Sequence, residues 1–148
     1  MATLFTRIIN GELPGRFVWA DPVCVAFASI NPLTDGHMLV VPRQETERFT
    51  ELDEQTLSHV MVVAQRIGRA QERVFGAPRA MLAIAGLEVP HTHVHVFPAW
   101  TEGQLNFALA RRDVPPDELD AATERVRAGL QELGFGQFVP SQMDSPEL

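Results

Sequence analysis

The sequence predicts an α+β domain of 148 residues, with five short antiparallel strands, two main helices and the helices on one face of the sheet. Three observations carry that expectation. Short apolar and β-branched runs separated by tight turn signals fill the chain up to Pro42. One long stretch, Asp53 to Gly76, has the periodicity of an amphipathic helix. Two further apolar runs follow it with few residues between them, so they should pair with each other.

Thr3 to Asn10 is mostly apolar, closes on Asn10-Gly11, and has room for one turn of helix. Arg16–Ala20, Val23–Ile30 and His37–Pro42 read as three strands of a meander, turned by Asp21-Pro22 and by Asn31 to Gly36. In the long helix Leu57, Val60, Met61, Ala64, Ile67, Gly68, Val74 and Phe75 fall on one face. Asp53 is its expected N-cap, and Gly76 followed by Pro78 its stop. Met81–Ala85 and His91–Pro98 are the last two strands, Pro98 ending the second. Thr101–Val114 is an irregular connection carrying Arg111-Arg112. Pro115-Pro116-Asp117-Glu118 opens a second helix with Leu119, Ala122, Val126, Leu130 and Leu133 on one face and Gly134 as its stop. The Gly-, Gln- and Pro-rich tail from Phe135 is expected to pack loosely or to reach a partner.

The formal net charge of −7 argues against a broad nucleic-acid surface or an anionic membrane surface, but not against a small anionic substrate at a locally cationic site. Cys24 is the single cysteine, so no internal disulfide forms and a reducing compartment is expected. The first residues lack the apolar core of a signal peptide, and no run approaches the ~18 apolar residues of a membrane span. A cytoplasmic location is expected.

Three of the five histidines lie in His91-Thr92-His93-Val94-His95-Val96-Phe97-Pro98. On a strand they share one face, about 6.6 Å between neighbours and about 13 Å between the outer two. A row of imidazoles matches an extended phosphate chain. The middle residue, His93, is then the natural nucleophile, attacking phosphorus to give a phospho-imidazole intermediate. His91 and His95 would hold non-bridging oxygens or protonate the leaving group, with His37 in support. Metal binding fits less well: the outer histidines cannot both reach one zinc at about 2.0–2.1 Å without a bend, and only His37 and Glu88 remain as further ligands. No Gly-x-x-x-x-Gly-Lys-(Ser/Thr) loop is present. Cys24, in an apolar strand, reads as core, and His59, in mid-helix, as an ordinary helix side chain.

His91-x-His93-x-His95-Val96-Phe97 resembles the signature of the histidine triad (HIT) superfamily of nucleotide hydrolases and transferases. Arg7-Ile8-Ile9-Asn10-Gly11-Glu12-Leu13-Pro14 looks like the family's N-terminal segment. Val25 to Pro32 followed by Gly36 to Pro42 looks like its nucleoside-binding strands. The resemblance covers about residues 3–98, leaving the C-terminal helix and tail at 115–148, within a single domain spanning 1–148. It is closest to the Hint-like and Fhit-like branches and looks like an actinobacterial-type member.

The resemblance implies a homodimer with a sheet continuous across the interface, and attack on the α-phosphate of a nucleotide, most simply one containing AMP. It implies His93 as nucleophile with His91, His95 and His37 supporting, and no cofactor. Leu4, Phe5, Ile8, Phe27, Ser29 and Ile30 match positions around base and ribose. Glu88 and Val89 precede the triad at the leaving-group side. Departures matter too. Thr3 and Thr6 stand where many Hint-like proteins carry a zinc-binding Cys-x-x-Cys, so no structural zinc is expected. Ser29 replaces the ribose-contacting acid. Gly86-Leu87-Glu88-Val89-Pro90-His91 replaces Gly-Gln-(Ser/Thr)-Val-x-His, and Ala80 stands at the place of an amide residue. A carboxylate at Glu88 repels phosphate unless its target is cationic, which favours an amine or small leaving group over a long polyphosphate. Two other readings stay open: a nucleotide-binding protein with weak catalysis, and a metal-dependent hydrolase on the same strand.

Overall fold

The computed structural model describes residues 2–148. Its elements are α1 (Leu4–Ile9), β1 (Phe17–Ala20), β2 (Cys24–Ala28), β3 (Met38–Pro42), α2 (Glu54–Phe75), β4 (Arg79–Ala83), β5 (Val94–Ala99) and α3 (Pro116–Glu132). The five strands form one sheet in the order β1-β2-β3-β5-β4, every pairing antiparallel. The α+β expectation holds. No helix among the described residues is long and apolar enough to cross a membrane.

Strand alternation divides the core in two. Cys24, Ala26, Met38, Val40, Val94 and Val96 face α2 and α3 and pack with Val60, Val63, Ala64, Ile67, Val126 and Leu130. Val25, Phe27, Leu39 and Val41 face the other way and pack with Phe5, Ile8 and Ile9 of α1 and with Phe17. Leu39 is the partner of His95 across the β3–β5 ladder, so His95 lies on the α1 side. The triad therefore opens on the face that the long helices leave free.

Helix ends follow the sequence signals. Asp53 caps α2 by accepting the Thr56 N–H, and Gly76 ends it in the left-handed region at φ 64°. Only Ala77 and Pro78 then separate helix from strand, so β4 starts at Arg79, two residues earlier than the expected Met81. Gly129 lets α3 approach α2: a Cβ there would stand 2.7 Å from Val74 Cγ1.

Three expectations are corrected. The regular part of the histidine strand begins at Val94, because the β3–β5 ladder stops at the Val40–Val94 pair. Pro42 has no N–H to continue it, its carbonyl accepts from the His91 ring, and Thr92 donates instead to the Thr46 carbonyl. Pro98 does not end the strand, which runs to Ala99. The Pro98 carbonyl points away from β4 to the Thr34 hydroxyl, so its nitrogen also faces away from β4 and no ladder donor is lost there. The tail is packed: Phe138 stacks on Trp19 at 4.5 Å, the Phe17 N–H donates to the Met143 carbonyl, and Arg127 donates to Phe17 and Pro140 carbonyls.

Candidate active site

The loop before β3 holds His37 tightly. The Leu33 N–H donates to His37 Nδ1 at 3.0 Å, and the His37 N–H donates to the Thr34 carbonyl. Gln71, fully buried on α2, ties the turn before β3 to the middle of β5 by donating to the Gly36 and Val96 carbonyls. Gly36 sits at φ 85° with the Phe75 ring where a Cβ would be. No side chain fits there, and that fixes the turn that delivers His37.

The hydrogen-bond partners set the tautomers. His37 Nδ1 accepts, so its Nε2 carries the proton and donates to His95 Nδ1 at 2.9 Å. His95 Nε2 in turn bears a hydrogen and is free to donate. His93 Nδ1 lies 2.7 Å from the His91 carbonyl, which only accepts, so Nδ1 carries the proton and Nε2 keeps its lone pair. His91 Nε2 donates to the Pro42 carbonyl at 2.7 Å, and its Nδ1 accepts from the Thr3 hydroxyl at 2.7 Å. The His93 and His95 rings stand 5.0 Å apart, edge to face.

Burial dominates the electrostatics. It pushes the His37 imidazole down to about 3 and the His95 imidazole down to about 4, neighbouring histidines adding to the effect. His91 and His93 are lowered as well, again first by burial. All four rings are neutral at neutral pH. One carries an unengaged lone pair and another an N–H donor, which is the complement needed to attack an electrophile and to support the departing group.

The expectation that His91 meets phosphate oxygens directly does not fit this geometry. Both its nitrogens are engaged and the ring is fully buried, so its part is to hold His93 through its carbonyl. Phe5 stands edge-on to His93 at 4.8 Å and to Phe27 at 5.5 Å. Ile8 belongs to that same cluster, with Val89 packed against it. Leu4 and Ile30 are exposed. Ser29 is half-buried and its hydroxyl accepts the Asn31 N–H. Glu88 is exposed in the loop before the triad and makes no hydrogen bond or ion pair among the described residues.

Sequence reasoning missed Phe107. It lies on a 3-10 turn of the connection after β5 and packs on His95 at 4.8 Å. Its signal was an aromatic beside the turn-capping Asn106, in a stretch read only as irregular. The nearby Arg111 is spent on Asp35 and Glu118.

The donors around α1 do not make a zinc site. Thr3, Thr6 and Glu45 offer two hydroxyls and one carboxylate beside a histidine already bonded at both nitrogens. Among the described residues the one grouping with metal-ligating spacing is Asp21, Cys24 and His59, away from the triad. Asp21 there is saturated by Trp19, Val23, Cys24 and His59.

Known proteins resemble this chain in sequence and fold. An uncharacterized HIT-like protein of Borreliella burgdorferi is 37% identical over 111 residues, 70% of this chain and 80% of that protein. The bifunctional bis(5'-adenosyl)-triphosphatase/adenylylsulfatase FHIT of Arabidopsis thaliana is 36% identical over 131 residues, 81% of this chain and 73% of that protein. The crystal structure of a Zn-bound histidine triad family protein from Mycobacterium smegmatis superposes with a TM-score of 0.78 at 29% identity, covering 90% of this chain and 96% of that one. Residues 10–101, which hold the sheet and all four site histidines, match the HIT domain, and this chain belongs to that family.

Proposed function

We propose that this protein is a nucleotide hydrolase or transferase that cleaves at the α-phosphate of an AMP-containing substrate through a nucleotidyl-histidine intermediate. The observation that carries this is the tautomer pattern: His93 Nε2 has a free lone pair beside His95, whose Nε2 has a free N–H. The Nε2 lone pair attacks phosphorus, the P–N bond forms, and the bond to the leaving group breaks. The His95 N–H donates a hydrogen bond to the leaving atom, held in place by the 2.9 Å bond from His37, and a leaving atom that needs a proton takes it from water, so both imidazoles stay neutral. Water or a second acceptor next attacks phosphorus, its proton passes to the solvent base left by the first step, the P–N bond breaks, and the electron pair returns to His93 Nε2.

The exposed edges of Leu4 and Ile30, with the half-buried Ser29, offer a nucleoside an apolar border and one hydroxyl. The Arabidopsis relative's name supports an adenosine-containing substrate. Glu88 faces solvent in the loop before the triad, so the preference for an amine leaving group over a long polyphosphate rests on its charge alone, and turnover favouring the polyphosphate counts against it. A dimer through β4 completes the reading. The β1 edge is covered by the tail at Phe17, whereas β4 is a sheet edge flanked by exposed Met61, Val62 and Leu82.

The test is turnover of an adenosine phosphoramidate and of a dinucleoside polyphosphate in chelator, by wild type and by His93→Ala. Turnover lost in the variant, with trapping of a labelled AMP on His93 during turnover, is the expected result. Turnover retained by His93→Ala refutes the mechanism. Tight AMP binding without turnover would make this a binding protein. Loss of activity in chelator would point to a metal-dependent reaction.

A further inference from the structure

We propose that Glu45 is a positioning residue for the triad: through Thr3 and Thr6 it clamps α1 and holds His91, and through His91 it orients the nucleophilic ring. The inference rests on His93 being the nucleophile. Glu45 comes from the exposed turn after β3. Its Oε1 accepts the Thr3 N–H at 2.8 Å and the Thr6 hydroxyl at 2.6 Å, across about forty residues of chain.

Those bonds divide the work of the two hydroxyls. With its hydrogen given to Glu45, the Thr6 hydroxyl does not compete as a donor for Thr3. The Thr3 hydroxyl accepts the Thr6 N–H as the cap of α1 and has one hydrogen to give. Two acceptors are in reach, Thr6 Oγ1 at 3.3 Å and His91 Nδ1 at 2.7 Å. The shorter contact is to His91. The proton on His91 is thereby confined to Nε2, where Pro42 takes it, and the His91 carbonyl is held for His93 Nδ1. Charge-assisted bonds to a carboxylate are the strong ones in such a relay.

The same clamp bears on the site by packing. α1 has six residues, too few to be helical on its own. Phe5, between the two threonines, is the ring packed edge-on against His93 at 4.8 Å and against His91 at 5.9 Å. Freeing the start of α1 loosens both a hydrogen-bond path and an aromatic wall that end on His93.

Three variants test this. In Glu45→Ala, kcat falls about tenfold, the scale expected when a nucleophile loses its orientation rather than its chemistry. Glu45→Gln keeps an oxygen that accepts the same two bonds and recovers kcat to within about twofold of wild type. Thr3→Val keeps the shape, removes the hydroxyl and falls with Glu45→Ala. Imidazole nitrogen-15 spectra give a readout independent of activity. In wild type His91 shows the Nε2–H tautomer with a hydrogen-bonded Nδ1, and in Glu45→Ala and Thr3→Val the Nδ1 resonance moves toward its free position. Unchanged His91 resonances in Glu45→Ala overturn the proposal, and so does a Glu45→Gln as impaired as Glu45→Ala. If the resonances move as described while wild type turns over no nucleotide, the clamp stands as structure, its catalytic part is overturned, and the reaction assigned above fails with it.

Discussion

Three buried histidines and the half-buried His95, all neutral, make the fold acid-sensitive in a window that carboxylates do not occupy. An unfolded histidine titrates near 6.5, whereas His37 is pushed down to about 3 and His95 to about 4 in the folded chain. Between these limits the unfolded state binds protons that the native state refuses, so stability rises with pH and is lost as pH falls below about 6.5. Each such histidine costs up to about 1.36 kcal/mol per pH unit and half that at pH 6.5, so from pH 6.5 to 5 one contributes about 1.5–2 kcal/mol of lost stability and two contribute about 3. That is a large part of a usual domain stability of about 5–15 kcal/mol. Carboxylates of the unfolded chain titrate near 4, below the window. The assay is urea unfolding at constant ionic strength at pH 6.5, 6.0, 5.5 and 5.0, for wild type and His37→Asn. The variant keeps an acceptor for the Leu33 N–H and should lose about 1.5–2 kcal/mol of the pH dependence. A wild-type midpoint flat across this range, or an unaltered slope in His37→Asn, refutes the neutral buried pair.

Gly36→Ala should cost about 2–4 kcal/mol in urea unfolding, since it combines φ 85° with a new Cβ driven into the Phe75 ring; a loss below about 0.5 kcal/mol would mean the turn relaxes freely. Arg127→Met leaves the Phe17 and Pro140 carbonyls without their donor and should cost about 2–4 kcal/mol, with earlier proteolysis of the tail. Phe107→Ala uncovers His95, so the His95 pKa moves up toward its ordinary value and the acid limb of the rate profile shifts to higher pH. A limb that stays in place would show that Phe107 does not desolvate that ring. Cys24, buried and with its thiol raised first by desolvation and then by Asp21, should resist alkylation in native protein and react only on unfolding.

What the sequence made legible is what repeats locally. The periodicity of α2, its Asp53 cap and Gly76 stop, and the alternation of the strands are decided within a few residues, and the structure keeps them. The end of the β3–β5 ladder is not local. It depends on Pro42 having no N–H to offer beyond the Val40–Val94 pair, on Thr92 donating to Thr46 instead, and on the His91 side chain taking the Pro42 carbonyl. The triad read as three equivalent rings from spacing alone, since alternation gives each the same face. Their partners then make them unequal: His91 is spent on Thr3 and Pro42, His93 is tied at one nitrogen only, and His95 is held by His37. Apart from the His91 carbonyl that ties His93, those partners are contributed by the cap of α1, the end of β3 and the turn that delivers His37, none adjacent to the motif in the chain. Thr3 and Thr6 could be read from the sequence only as missing metal ligands. Their use, with Glu45, as a hydrogen-bonded clamp required the fold to bring an exposed carboxylate to within 2.6 Å of Thr6. A triad motif therefore specifies where the imidazoles stand, while the tautomers, and with them the division between nucleophile, donor and support, are set by backbone and side-chain partners, most of which no spacing rule connects to it.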